Sequence, residues 1–388
     1  MSKNRSLAQT GKINITDTAP TDAVGSQPGD MWFVYEAPQL TFDLYAYGEN
    51  GHGQARGDGT NTDPEPIASL IESGVISVAG FAEHTVIVLA NGEAKAFGGN
   101  NYGESRGDGT DVDPQLTSAV IETGVKDAAV SQRHTMLMME NGDVKSFGGN
   151  SFGQTLGNGS VITPQLTSTI IETGAKAVAA GRYASYILME NGDLKAFGRN
   201  TNGQVRGDGS TSSPEATTAV IETGVAAVSA GQDFVVILME NGDVKSFGAN
   251  SSGQARGDGS TSSPEATTAV IETGVMAISA GADHTLLLME NGDVKAFGSN
   301  AFGGSLGNGS TVNPQSTSNV VETGATAISA GSQFSMILME NGDVKAFGYN
   351  NKSQSRGDGD TSGAQTTAVI ASNAKFIFAA NDYAFYGL

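Results

Sequence analysis

The sequence predicts an all-β protein, a seven-bladed β-propeller of four-stranded blades with a short N-terminal arm, on three observations. One motif returns every fifty residues, an Asn-Gly hairpin signal returns six times, and the two ends of the array are incomplete in complementary ways. An internal period of this size marks a solenoid or propeller whose units bury their faces against one another. The 388 residues also exceed the roughly 250–300 at which a single hydrophobic core stops growing.

The period is exact over long stretches. "GVAAVSAGQDFVVILMENGDVKSFG" (224–248), "GVMAISAGADHTLLLMENGDVKAFG" (274–298) and "GATAISAGSQFSMILMENGDVKAFG" (324–348) align without a gap, and residues 206–225 and 256–275 are identical. Within a unit "AISAG" is a short apolar strand, "HTLLLM" is the continuous apolar run of a strand covered on both faces, and "DVKAF" alternates. The Asn-Gly between the last two, at Asn91, Asn141, Asn191, Asn241, Asn291 and Asn341, tolerates the positive φ of a type I′ turn and so joins them as a hairpin. A Gly-rich loop then leads to "TTAVIETG" or its equivalent, the fourth strand.

The ends close the count. The Gly-x-Asn after the third strand occurs seven times, from Asn50 to Asn350, against six hairpins. "TFDLYAYGEN" (41–50) is a third strand without its partner, and "KFIFAANDYAFYGL" (375–388) supplies two strands without a third. Pairing them gives a ring closed by its own termini, and closure protects the sheet edges. The propeller is expected over 39–388 and the arm over 1–38.

Composition narrows the function. A net charge of -20, from 41 acidic and 21 basic residues, opposes binding along a phosphate backbone, where Lys and Arg must displace counterions; no nucleic-acid partner is expected. The absence of Cys removes disulfides, thiolate metal sites and a cysteine nucleophile. "MSKNRSLAQTGK" lacks the apolar core of a signal peptide, and no apolar run reaches the roughly 18 residues a membrane span requires. No phosphate-binding loop, Gly-x-Ser-x-Gly or His-Glu-x-x-His is present. A non-enzymatic protein without cofactor or metal is expected, free of membrane insertion. The loops "GDGTNTDP" (57–64) and "GDGTDVDP" (107–114) hold carboxylates but not the regular spacing of a Ca²⁺ loop, which favours solvated turns. His84, His134 and His284 share one repeat position with Ala184, Phe234, Phe334 and Ala384; a position that accepts Phe is a packing position.

The pattern V-x-x-I-S-A-G-x-x-H-T-x-x-L-x-E-N-G-D-V-x-x-F-G-x-N-x-x-G-Q-x-x-G-x-G resembles the repeat of the regulator of chromosome condensation family, whose members are seven-bladed propellers. The resemblance covers 39–388. Kelch propellers share the period, but their Gly-Gly doublet and later Trp are missing here; the one Trp, Trp32, lies outside the repeats.

That family has Gly-Gln-Leu-Gly after the third strand, and this chain keeps the Leu only at Leu156 and Leu306. The other copies read Arg-Gly-Asp: Arg56 with Asp58, Arg106 with Asp108, Arg206 with Asp208, Arg256 with Asp258, and Arg356 with Asp358. The Leu copies carry Asn158 and Asn308 in place of the Asp, and Phe152 and Phe302 four residues before the Leu. Two interchangeable loop chemistries are expected: a Phe/Leu plug, and an Arg/Asp pair made within the loop or with the next blade. On that reading Asp258→Asn lowers stability. An adhesive role for the tripeptide is disfavoured, because it belongs to the framework.

In an antiparallel blade successive loops alternate between the two ends. The hairpin end is nearly constant, "MENGD" five times and "LANGE" once. The other end differs in every blade and supplies the candidate recognition face: Glu83, Tyr102, Arg133, Phe152, Arg182, Tyr183, Asp233, Asp283, Phe302, Gln333, Lys352 and Tyr383. Variation confined to one end of a constant scaffold fits a binding surface, as it fits unconstrained loop tips.

The arm contains Gly29-Asp30-Met31-Trp32-Phe33, within a stretch that resembles a short module of tailed-phage fibre and virion proteins. The resemblance implies a phage or viral structural component, a fibre, spike or decoration located on the virion. Trp32 and Phe33 would attach it to other virion proteins, and the variable face would meet a host surface protein or glycan; a homo-oligomer is compatible. The competing class is a cellular, cytoplasmic protein-binding propeller, of GTPase-regulator or protein-inhibitor type. Exchange factors of the resembled family use an inserted β-wedge, for which gapless fifty-residue spacing leaves no room. A third class, a carbohydrate-cleaving fibre enzyme, would need clustered carboxylates in a groove.

Overall fold

The computed structural model describes residues 41–388 apart from 305, 308, 309 and 311. The attachment arm with Trp32 and Phe33, and Asn308, lie outside the described residues. No helix among the described residues is long and apolar enough to cross a membrane.

The chain forms five separate four-stranded antiparallel sheets and one seven-stranded sheet. The second blade shows the pattern: Val125–Val130, His134–Met139, Val144–Gly148 and Gln165–Glu172 pair in chain order. The third to sixth blades repeat it at intervals of fifty. The seven-stranded sheet is two such units sharing one long strand, Glu65–Phe81. Its later half pairs with His84–Leu89 and begins the first blade, and its earlier half pairs with Phe42–Gly48.

Phe42–Gly48 also pairs with Tyr383–Gly387, placing Leu44 opposite Gly387 and Gly48 opposite Tyr383. Asp43 and Leu388 exchange backbone hydrogen bonds at 3.3 and 3.2 Å. The terminal blade thus takes its inner and second strands from the C-terminus and its third and outer strands from residues 42–72. Inner strands of successive blades lie side by side, and Phe376–Ala379 touches both 325–330 and the strand ending at Phe81. They surround a channel walled by small side chains, among them Ala79, Ala129, Ala179, Ala280 and Ala380.

The core lies between blades. One cluster joins Phe234, Val236 and Leu238 of the fourth blade to Ile278, Leu287 and Phe297 of the fifth. The second strands are buried along nearly their whole length, as in Phe234–Met239 where only Met239 is half-buried, because each has a sheet neighbour on both sides and a packed blade on both faces. Outside the core, Lys95, Lys145, Lys195, Lys245, Lys295 and Lys345 each reach the outer strand of the preceding blade. There they pair with Glu72, Glu122, Glu172, Glu222, Glu272 and Glu322 at 2.6–2.7 Å. Solvent-accessible pairs of this kind, here half-buried, contribute about 0–1 kcal/mol each, so they add register between blades more than bulk stability.

Candidate functional site

The two variable loops of each blade meet at one end, as the alternation of an antiparallel sheet requires. A single backbone hydrogen bond ties them: the amide after the third-strand Gly donates to the carbonyl of the residue before the second strand. It recurs as Gly99 to Glu83, Gly149 to Arg133, Arg199 to Tyr183, Ala249 to Asp233, Ser299 to Asp283, Tyr349 to Gln333 and Glu49 to Asp382, at 2.6–2.9 Å. The tie between the two loops is therefore common to every blade, while the backbone around it departs locally, as at Ala82 with φ 28° and Phe302 with φ 62°.

Each loop is also locked to the next blade. Gln54, Gln154, Gln204, Gln254 and Gln354 are buried and accept the amide two residues earlier at 2.7–2.9 Å. Their own carbonyls, where a hydroxyl follows in the next blade, accept from Thr85, Ser185 and Thr285 at 2.6–2.7 Å. In the loop before the second blade, Glu104 takes the Gln position, accepts the Tyr102 amide at 2.6 Å and is pushed up to about 7 by burial.

The shared histidine position is more than packing. Nε2 of His84, His134 and His284 lies 2.8, 2.7 and 2.9 Å from the hydroxyls of Thr135, Ser185 and Ser335, each in the following blade. Burial pushes His84 and His134 down to about 3 and His284 to about 4, so these are neutral rings joining blades.

The terminal blade corrects the list of face residues. Gly48 pairs with Tyr383 as Gly98 pairs with His84, so Tyr383, not Ala384, is the structural equivalent of the histidines. It is fully buried, with its hydroxyl 2.9 Å from Thr85 Oγ1 and donating to the His84 carbonyl at 2.8 Å. Asp382 takes the loop position. The shift arises in the outer strand of the sixth blade. Lys345 pairs with Val369 where Lys295 pairs with Val320, one residue short of the fifty-residue step.

The Arg-Gly-Asp loops also differ from expectation. Only Arg56 and Arg256 pair with their own carboxylates, Asp58 at 3.0 Å and Asp258 at 3.3 Å. Arg106 and Arg356 bind Gln115 and Gln365, and Arg206 binds Glu215, each nine residues on at the start of the outer strand. The strand end is the nearer acceptor. The Asp instead receives the amide two residues later: Asp58, Asp108, Asp208, Asp258 and Asp358 accept from residues 60, 110, 210, 260 and 360 at 2.9–3.0 Å. Asn158 accepts from Ser160 in the same way at 3.0 Å. This Asx turn needs an acceptor, not a charge, which is why Asp and Asn exchange.

The central Gly has its own reason. Gly57 has φ 61°, and a Cβ there would stand 2.7 Å from the Phe97 ring of the next blade, so the tripeptide is a wedge of framework against an aromatic. The acidic loops resolve similarly. Asp63 and Asp113 accept the amides of Asn50 and Asn100, work done elsewhere by Thr163, Ser213, Ser263 and Asn313.

The remaining face residues fall into sectors. Phe302 packs on Tyr349 with ring centroids 4.3 Å apart and Phe152 on Tyr183 at 5.2 Å, so both partners lie outside the loop rather than forming a plug with its Leu. Lys352 pairs with Asp63. Asp233 and Asp283 receive the side-chain amides of Gln204 and Gln254 at 3.3 and 3.5 Å. Tyr102, Arg133, Phe152, Arg182 and Tyr183 gather with Arg199, which the sequence reading passed over because it sits inside the Gly-x-Asn turn. Glu83 and Gln333 are partly exposed at the same end.

Comparison with known proteins agrees with this architecture. Residues 125–154, 175–204, 225–254, 276–303 and 325–354 match the regulator of chromosome condensation (RCC1) repeat. The chain carries repeats of the RCC1 type on a propeller fold. Human WBSCR16 superposes with a TM-score of 0.77 at 14% identity, over 89% of this chain and 99% of that one. Prp20p of Saccharomyces cerevisiae, described with its binding properties to Gsp1p and histones, gives 0.77 at 18% identity over 90% and 91%. The yeast RCC1 (Prp20) structure with Kap60 gives 0.75 at 16% identity, over 96% of each chain. At these identities the likeness is one of fold. No curated protein matches the sequence.

Proposed function

We propose that this RCC1-like propeller is a closed ring of seven blades acting as a non-enzymatic protein-binding scaffold, with the variable loop end as its recognition surface. The observation that carries the reading is the repeated amide-to-carbonyl tie between the two loops of every blade. It fixes how the two loops of a blade meet while Glu83, Tyr102, Arg133, Tyr183, Asp233, Asp283, Phe302 and Gln333 differ from blade to blade. A rigid main chain presenting varied side chains lowers the ordering cost of binding.

Binding to Gsp1p, histones or Kap60 belongs to Prp20p; for this chain those names support the class of activity, protein binding. An exchange factor with an inserted wedge is less well supported, since among the described residues the loops keep the same lengths from blade to blade. The virion reading rests on residues 29–33, outside the described residues. A photo-crosslinking residue placed at Tyr102 or Phe302 should label a protein partner, and one at Asn191 or Asn291 on the hairpin end should not. Labelling from the hairpin end alone would overturn the assignment of the face.

A further inference from the structure

One sector of the variable face has a chemistry unlike the rest of this acidic chain. Three guanidinium groups from three loops surround the ring of Tyr183: Arg182 at 5.2 Å from its centroid, Arg133 at 5.8 Å and Arg199 at 5.8 Å. Arg133 also lies over Tyr102 at 4.6 Å, and Arg199 over Phe152 at 5.8 Å. Phe152 packs in turn on Tyr183, and Gln132 accepts from Arg182 Nε at 2.8 Å. All of these side chains are partly exposed.

Among the described residues neither Arg133 nor Arg182 has a carboxylate within ion-pair distance; only Arg199 does, with Asp233 at 3.7 Å. Like charges held around one ring repel each other, and the ring faces relieve only part of that. A chain with 41 acidic residues has nonetheless left two of the three guanidinium groups here without a carboxylate partner among the described residues. Three partly exposed guanidinium groups gathered over these rings offer several N–H donors close together, which suit carboxylates through paired hydrogen bonds.

We infer that the sector formed by Arg133, Arg182, Arg199, Tyr102 and Tyr183 docks an acidic segment of a protein partner, Asp or Glu side chains accepting from the arginine edges. This rests on the variable end being the recognition surface and names the chemistry one part of it takes. Stacking pre-orders the arginines, so little side-chain freedom is lost on binding, and the local positive field steers an anionic segment past the negative remainder of the chain.

The test is fluorescence anisotropy of labelled octaglutamate with the full chain. Binding should weaken with added salt. It should fall at least roughly tenfold in Arg133→Gln/Arg182→Gln/Arg199→Gln, as expected when charge-assisted hydrogen bonds are lost. Arg182→Glu guards against a triple variant that misfolds and should show the same loss, while Lys126→Gln, an exposed lysine at the hairpin end of the second blade, should bind as the parent does. Octaglutamate binding that is absent, or indifferent to the arginines, overturns the proposal. So does capture of a sulfated oligosaccharide or single-stranded RNA with octaglutamate ignored. Crosslinking of a partner from Phe302 without any dependence on the arginines would leave the recognition face standing and remove only this sector's role.

Discussion

Tyr383 Oη stands 2.9 Å from Thr85 Oγ1, across 298 residues of chain. The contact belongs to the strands by which the C-terminal segment joins the first blade, and both residues are buried. It replaces the histidine-to-hydroxyl link found between other blades.

Tyr383→Phe keeps the ring and removes the hydroxyl, leaving the buried His84 carbonyl without that donor. A loss of about 1–3 kcal/mol in urea denaturation is expected. An unchanged midpoint would show that the hydroxyl adds nothing to the join.

The buried histidines set an acid limit. His84, His134 and His284 have folded values of about 3 to 4, depressed by burial, against about 6.5 when unfolded. Their contribution is complete above pH 6.5 and is lost as pH falls toward the folded values, by about 1.4 kcal/mol per pH unit for each ring. His284→Phe, a residue already present at the equivalent Phe234 and Phe334, should shrink the stability difference between pH 7.5 and pH 5. An identical difference in the variant would count against a neutral buried ring.

Glu104 carries the opposite sign. Its folded value is raised by burial to about 7, so its contribution is full at low pH and is lost as pH rises through 7. Glu104→Gln restores the residue used in most other loops. It should raise stability at pH 8 by on the order of 1–3 kcal/mol while changing little at pH 4.5. Thermal melts at the two pH values decide it; an equal gain at both would point to packing instead.

Asp258 accepts the Ser260 amide, which lowers its carboxyl below the usual range ahead of any effect of Arg256. Asp258→Asn should therefore be nearly neutral, whereas Asp258→Ala should cost about 0.5–1.5 kcal/mol. Equal losses in both variants would restore the ion pair as the important contact.

The blades were legible because the repeat carries its own turn chemistry: Asn-Gly at Asn141 or Asn241 fixes a hairpin without help from the rest of the chain. The pairing of residues 42–48 with 383–387 was legible from the two incomplete ends. Tyr383 was not, because one residue missing from the sixth blade's outer strand moves everything after it out of the fifty-residue frame. The Arg-Gly-Asp loops misled for a different reason. Adjacent opposite charges suggest a pair, but the outer-strand residues Gln115, Glu215 and Gln365 compete for the same arginines, and that competition is visible only in three dimensions. The Lys/Glu ties between blades were written in the sequence at a constant spacing, as in Lys145 and Glu122, and went unread because neither residue is unusual alone. Arg199 was hidden inside a turn motif that otherwise looks purely structural.

Six joints between blades carry a lysine-to-glutamate tie; between the sixth blade and the terminal one, Tyr45 stands where the lysine would be and Ala371 where the glutamate would be. Tyr45 stacks on Tyr386 with centroids 5.3 Å apart. A necklace of near-identical beads thus has one recognisable clasp, inside the terminal blade where the two ends of the chain pair, fastened by aromatic stacking rather than charge. High salt, which loosens the other joints, should leave the clasp fastened, so that under ionic stress the molecule comes undone elsewhere than at its ends.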